Sequence, residues 1–155
     1  GEYVPEKEQP AQVWNLLHQH RPDILIMTGH DAYLKNPERN FQDLKYYRHS
    51  RYFVEAVRKA RQYEPGKDDL VIFAGACQSH YEAILAAGAN FASSPQRVLI
   101  HALDPVFLVE KVAFTSINES VNIFEVIKHT ITGLEGIGGL ETRGKFRLGL
   151  PKSPY

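Results

Sequence analysis

Two residues able to do covalent chemistry stand at matching places in this chain. The apolar run 24–27 leads into Thr28-Gly29-His30-Asp31, and the apolar run 70–74 leads into Gly75-Ala76-Cys77-Gln78-Ser79. A thiol becomes a nucleophile once an imidazole takes its proton, and the pair suits acyl transfer such as peptide-bond hydrolysis. If the two runs are neighbouring strands, His30 and Cys77 fall at one sheet edge and come within hydrogen-bond reach of each other. Backbone N–H groups at Gly29, Asp31 and Ala76 are then candidate donors to the oxyanion of a tetrahedral intermediate. Ser79-His80-Tyr81-Glu82 has the spacing of a capping box, which predicts a helix over 79–87 ended by Gly88. Its N-terminus would favour the thiolate form of Cys77.

Other assignments compete for the same residues. A lone cysteine is most often a small hydrophobe in a tight turn. His101 is the alternative base, because the turn around Cys77 resembles the nucleophile elbow of amidotransferase-like enzymes, in which the histidine follows the cysteine in sequence. A flavodoxin-like binding or assembly module without catalysis is a third reading. His80 is expected in a first helical turn, and His18, His20, His49 and His129 read as ordinary helix-surface histidines. No HExxH or comparable spacing occurs, so neither a metal nor an organic cofactor is expected. The glycines from Gly136 to Gly139 follow a helical pattern and not a strand, which argues against a phosphate loop and for a flexible tail. Arg143, Lys145 and Arg147 in that tail would make a substrate-like segment or a docking strip.

The elements that must position this chemistry alternate. Val13, Trp14, Leu16 and Leu17 have helical spacing, followed by the strand 24–27 and a polar stretch over 33–45 containing Asn36-Pro37. A long amphipathic helix is predicted over 46–63, with Phe53, Val54, Ala56, Val57 and Ala60 on one face. The strand 70–74, the helix 79–87, a third strand over 98–103 and a helix opened by Asp104-Pro105 and reaching residue 112 come next. A short fourth strand over 112–114 and a helix over 121–131 ended by Gly133 complete the pattern. Short apolar runs separated by helices predict a three-layer α/β sandwich with a mostly parallel sheet, and ligands in such sheets bind at the carboxyl ends of strands. The expected organisation is a flexible leader over 1–10, a catalytic domain over 11–135, and a Gly-rich basic tail over 136–155 packed on or extending from the domain.

With 155 residues and 43% hydrophobic content, one domain can bury a core without disulfides, and a single cysteine forms no internal bridge. Lys+Arg and Asp+Glu balance at 18 each, so bulk charge gives no reason to expect nucleic acid or an anionic membrane as partner. No run approaches the roughly 20 apolar residues of a membrane helix, and no signal peptide opens the chain. The sequence reading is therefore a soluble, intracellular protein. Its first residue is Gly1 and not Met, which reads as a fragment or a processed product.

The blocks ending at His30 and Cys77 resemble those of the caspase-like cysteine peptidases, a group that includes legumain, clostripain and gingipain. Val71-Ile-Phe-Ala-Gly-Ala-Cys77 follows their Ala-Cys pattern, whereas Asp31 stands where they carry a glycine after the histidine. A closer resemblance, over 23–31, 52–63, 69–95, 97–110 and 136–146, is to the YabG family of sporulation-specific proteases of spore-forming Firmicutes. It implies a caspase-like fold and a His30/Cys77 dyad that processes spore coat and cortex-related proteins after arginine, in the mother-cell cytoplasm or the developing spore coat. It also implies a further N-terminal region absent from this chain. A buried arginine side chain needs a carboxylate partner, and Asp31 and Asp104, both following predicted strands, are the candidates for that S1 pocket.

Overall fold

The computed structural model describes residues 1–35, 40–151 and 153; Asn36-Pro37 of the expected polar stretch lie outside them. Helix α1 (Gln9–His20) leads into strand β1 (Ile24–Met27), and helix α2 (Ser50–Tyr63) into strand β2 (Val71–Ala74). The short helix α3 (Tyr81–Ala86) is followed by strand β3 (Phe91–Ser93), helix α4 (Asp104–Phe114), strand β4 (Ser120–Val121), helix α5 (Ile123–Lys128), and strands β5 (Ile137–Gly139) and β6 (Thr142–Arg143). The main sheet has the order β1-β2-β3-β5, parallel except for β5, and β4 pairs with β6 in a separate ribbon.

Strand β2 shows why this is a sandwich. All four of its residues are buried, and alternate side chains point to opposite faces. Ile72 and Ala74 join a cluster with Leu17 of α1, Phe53 and Val57 of α2, and Ile84 of α3. Val71 and Phe73 join Leu108 and Val112 of α4 and Val126 of α5 on the other side. A strand covered on both faces must read as an unbroken apolar run, which is the pattern of residues 70–74.

Several predicted elements move. The third strand is Phe91–Ser93 and not 98–103; its three residues are fully buried, whereas Leu99 is 72% exposed. Residues 112–114 form the last turn of α4, with Val112 in the core. Helix α2 begins at Ser50, because residues 44–46 make a separate 3-10 turn and Tyr47 bridges to Tyr33. Helix α5 is shorter than predicted, since Asn122 caps it by accepting from the N–H groups of Phe124 and Glu125, while Val121 pairs with Thr142. The expected flexible tail supplies β5 and β6. Gly139 packs so closely on β3 that a Cβ there would lie 2.4 Å from the Asn90 carbonyl oxygen.

Candidate active site

Strands β1 and β2 are hydrogen-bonded neighbours with Met27 opposite Ala74, so His30 and Cys77 each lie three residues beyond a paired position. The loop carrying Cys77 is tightly held. Gly75 adopts φ 113°, and the Ser93 hydroxyl donates to the Ala76 carbonyl at 2.8 Å. The Ser79 hydroxyl accepts from the Ala76 N–H at 2.9 Å and donates to Asp31 at 3.0 Å. Gln78, next to the cysteine, has φ 56°, and its N–H reaches the Val98 carbonyl and the Ser94 hydroxyl. A non-glycine residue in the left-handed region costs of order 1 kcal/mol and persists only where its surroundings enforce it, a common feature of active sites.

Cys77 is half-buried, and its sulfur meets the backbone of Ile100: the Ile100 N–H donates to Sγ at 3.4 Å. The 94–103 segment, expected as a strand, therefore forms a loop laid against the thiol. It is anchored by Arg97, which donates to Tyr47 at 2.6 Å and pairs with Glu82 at 2.5 Å. Burial pushes the Glu82 carboxyl up, but the Arg97 contact outweighs it and leaves Glu82 below the usual glutamate value.

The His30 side chain is 96% exposed, and its Nδ1 lies 3.4 Å from Glu6 Oε1. Among the described residues the ring makes no hydrogen bond to Cys77; the strands are neighbours, but the imidazole is turned outward. Glu6 also accepts the His30 backbone N–H at 2.6 Å. His49, read from sequence as a surface histidine, has a side chain only 17% exposed, and its Nδ1 donates to the His30 carbonyl at 2.6 Å. Glu6 and His49 thus grip His30 from both sides, and neither was nominated from sequence. Glu6 lies 24 positions from its partner with no periodic pattern to flag it, and His49 was placed inside an overextended helix.

Asp31 is buried at the centre of the site. Its carboxylate accepts from the N–H groups of Ala32 (2.8 Å) and His49 (2.7 Å) and from the hydroxyls of Ser50 and Ser79. Asp104 is fully buried and accepts from Ile131 N–H (2.7 Å), Thr132 N–H and His101 N–H (both 3.2 Å) and the Thr132 hydroxyl. Both expected S1 carboxylates are therefore occupied by internal donors, Asp31 holding the active edge together and Asp104 tying α4 to the 130–132 turn. Of the expected oxyanion donors, the Ala76 N–H is spent on Ser79. Those of Gly29 and Asp31, and that of Cys77 itself, have no acceptor among the described residues.

The helix after the cysteine starts at Tyr81 with His80 as its cap, and the capping box does not form: Ser79 turns to Asp31 and Glu82 to Arg97. With only six residues and a later start, α3 gives Cys77 less dipole support than its expected form. His80 is a satisfied core histidine, donating from Nε2 to the Gln42 carbonyl at 2.8 Å and accepting from the Ala83 N–H at Nδ1. His101, the alternative base, lies in an exposed turn and accepts the Leu103 N–H at 3.2 Å. In the tail, Lys145 donates to the Asp69 carbonyl at 2.8 Å and Arg143 approaches Asp68 at 3.9 Å, so both are engaged with the 68–69 turn. No group of three potential metal ligands gathers among the described residues, and no helix there is long and apolar enough to cross a membrane. Beside His30 a cavity of about 680 Å³ runs along the outer edge of β1, lined by Glu6, Gln9, Leu17, Leu25 and Met27.

Comparison with known proteins gives two matches and one negative result. The family described as YabG peptidase U57 matches residues 1–151. The sporulation-specific protease YabG of Bacillus subtilis (strain 168) is 54% identical over 151 residues, which are 97% of this chain and 52% of that relative. The chain thus spans about half the length of the curated relative it matches. No solved structure matches.

Proposed function

The chain belongs to the YabG peptidase U57 family, and from that premise we propose that it is the catalytic part of a cysteine endopeptidase acting during sporulation, with Cys77 as nucleophile and His30 as general base. The observation that carries this reading is the register of β1 and β2, which brings the two residues to equivalent positions on one sheet edge. Rotation of the exposed His30 side chain is a fast, low-cost motion, and catalytic hydrogen bonds commonly close only when substrate is bound.

His30 takes the Cys77 proton, and Sγ attacks the scissile carbonyl carbon. The unpaired N–H groups of Gly29 and Cys77 supply hydrogen bonds to the resulting oxyanion. His30 returns the proton to the leaving amine, and water activated by the same ring then hydrolyses the thioester, freeing Sγ. Spore coat and cortex-related proteins cut after arginine are the proposed substrates, carried over from the family, and the developing spore or its mother cell is the proposed place of action. An arginine side chain would have to displace an internal donor to pair with Asp31 or Asp104, so its acidic partner is to be sought first among other carboxylates.

A second reading uses His101 as base, and one observation favours it: Ile100, its neighbour, already touches Cys77 Sγ. Arginine-containing coat-protein peptides are incubated with the parent, Cys77→Ala, His30→Ala and His101→Ala chains, and products are mapped by mass spectrometry. Cleavage by the parent and His101→Ala but not by the other two is the expected result. Full activity in His30→Ala with loss in His101→Ala would transfer the base to His101.

A further inference from the structure

We infer that Glu6 is a positioning residue for His30, a carboxylate that sets the tautomer of the imidazole and so leaves Nε2 as the atom that takes the thiol proton once the ring turns toward Cys77. The inference rests on the assignment of His30 as base. Three independent contacts point to it. Glu6 Oε1 receives the His30 backbone N–H at 2.6 Å and lies 3.4 Å from ring Nδ1. Its Oε2 faces His49 Nδ1 at 3.9 Å, and His49 Nδ1 in turn donates to the His30 carbonyl at 2.6 Å. Gly29 leaves the space that the Glu6 side chain fills, because a Cβ at that position would lie 2.4 Å from Oε1.

The Glu6 side chain is 17% exposed, and the titratable groups facing it are His30 and His49. Burial pushes its carboxyl up, but the His30 N–H bond, with the charge of His49, outweighs this and holds it below the usual glutamate value. Glu6 is thus ionised at neutral pH. A carboxylate at Nδ1 selects the tautomer with hydrogen on Nδ1, and a neutral imidazole of that tautomer has its lone pair on Nε2. The arrangement provides the orienting third group that a nucleophile and base pair requires.

Glu6→Gln keeps an acceptor for the His30 N–H while removing the charge; Glu6→Ala removes both. If Glu6 positions His30, Glu6→Gln lowers kcat by roughly tenfold with KM within about twofold of the parent. Molar salt then lowers the parent's kcat toward that of the variant and leaves the variant unchanged, as expected when a partly exposed charge contact is screened. A purely structural Glu6 would give a Gln variant with parental kcat and a defect only in Glu6→Ala, overturning the inference. Activity-independent support comes from long-range 1H–15N spectra of the His30 ring in the Cys77→Ala chain. Protonation at Nδ1 that shifts toward Nε2 on adding Glu6→Gln supports the positioning role, and an unchanged tautomer contradicts it. Parental activity in His30→Ala would overturn the base assignment and the inference together, whereas loss there with an unaffected Glu6→Gln overturns only the inference.

Discussion

Asp31 follows His30 in sequence, yet its side chain faces inward where that of His30 faces out, and it joins three segments. It takes hydrogen bonds from its own turn, from the first residues of α2 and from Ser79 in the Cys77 loop. Asparagine would present an NH2 to donors that need acceptors, leaving buried groups unpaired. Asp31→Asn is expected to lower stability by about 2–3 kcal/mol, read as a reduced urea midpoint at unchanged slope. An unchanged midpoint would show that the carboxylate is not holding the edge together. At this scale the sequence identifies the residues but not their partners. His30, Cys77 and Asp31 are visible because they follow apolar runs, a local pattern. Glu6 and His49 are invisible because what marks them is contact with His30 across a turn that only the folded chain creates.

Strand β2 was legible because a four-residue stretch buried on both faces must be an unbroken apolar run, and β1 keeps such a run although its Ile26 is exposed. Strand β3 was not. Its Phe91-Ala92-Ser93 is three residues long and ends in serine, whereas the more apolar 98–103 stretch crosses the top of the sheet as a loop against Cys77. The strand-end rule that found His30 and Cys77 would have named Ser93 and Ser94 had β3 been placed correctly, and both hydroxyls do hold the Cys77 loop. The glycine run at 136–139 was misread for a related reason: its lack of side chains serves close approach to β3 and not flexibility. Gly139→Ala tests that point. With the Cβ 2.4 Å from a backbone oxygen, β5 must shift away from β3, and a cost of about 2 kcal/mol or more is expected as a lowered thermal midpoint. A parental midpoint would mean that the edge strand is loosely held.

Among the described residues a mixed sheet lies between two unequal helical layers, three helices packing on one face and two on the other. Both chemically competent residues emerge from the carboxyl ends of adjacent parallel strands, where an open α/β sheet leaves a crevice. The 94–103 loop lies against Cys77, and the cavity along β1 reaches His30. The central claim is that Cys77 is a nucleophile served by His30. It is tested most directly by reacting the chain with an arginine-containing peptidyl electrophile, such as an acyloxymethyl ketone, and following adduct mass and site. Stoichiometric labelling of Cys77 in the parent, slowed by at least roughly tenfold in His30→Ala and competed by substrate peptide, is the predicted result. Equal labelling rates in the parent and His30→Ala, or no labelling of Cys77 in either, would contradict it.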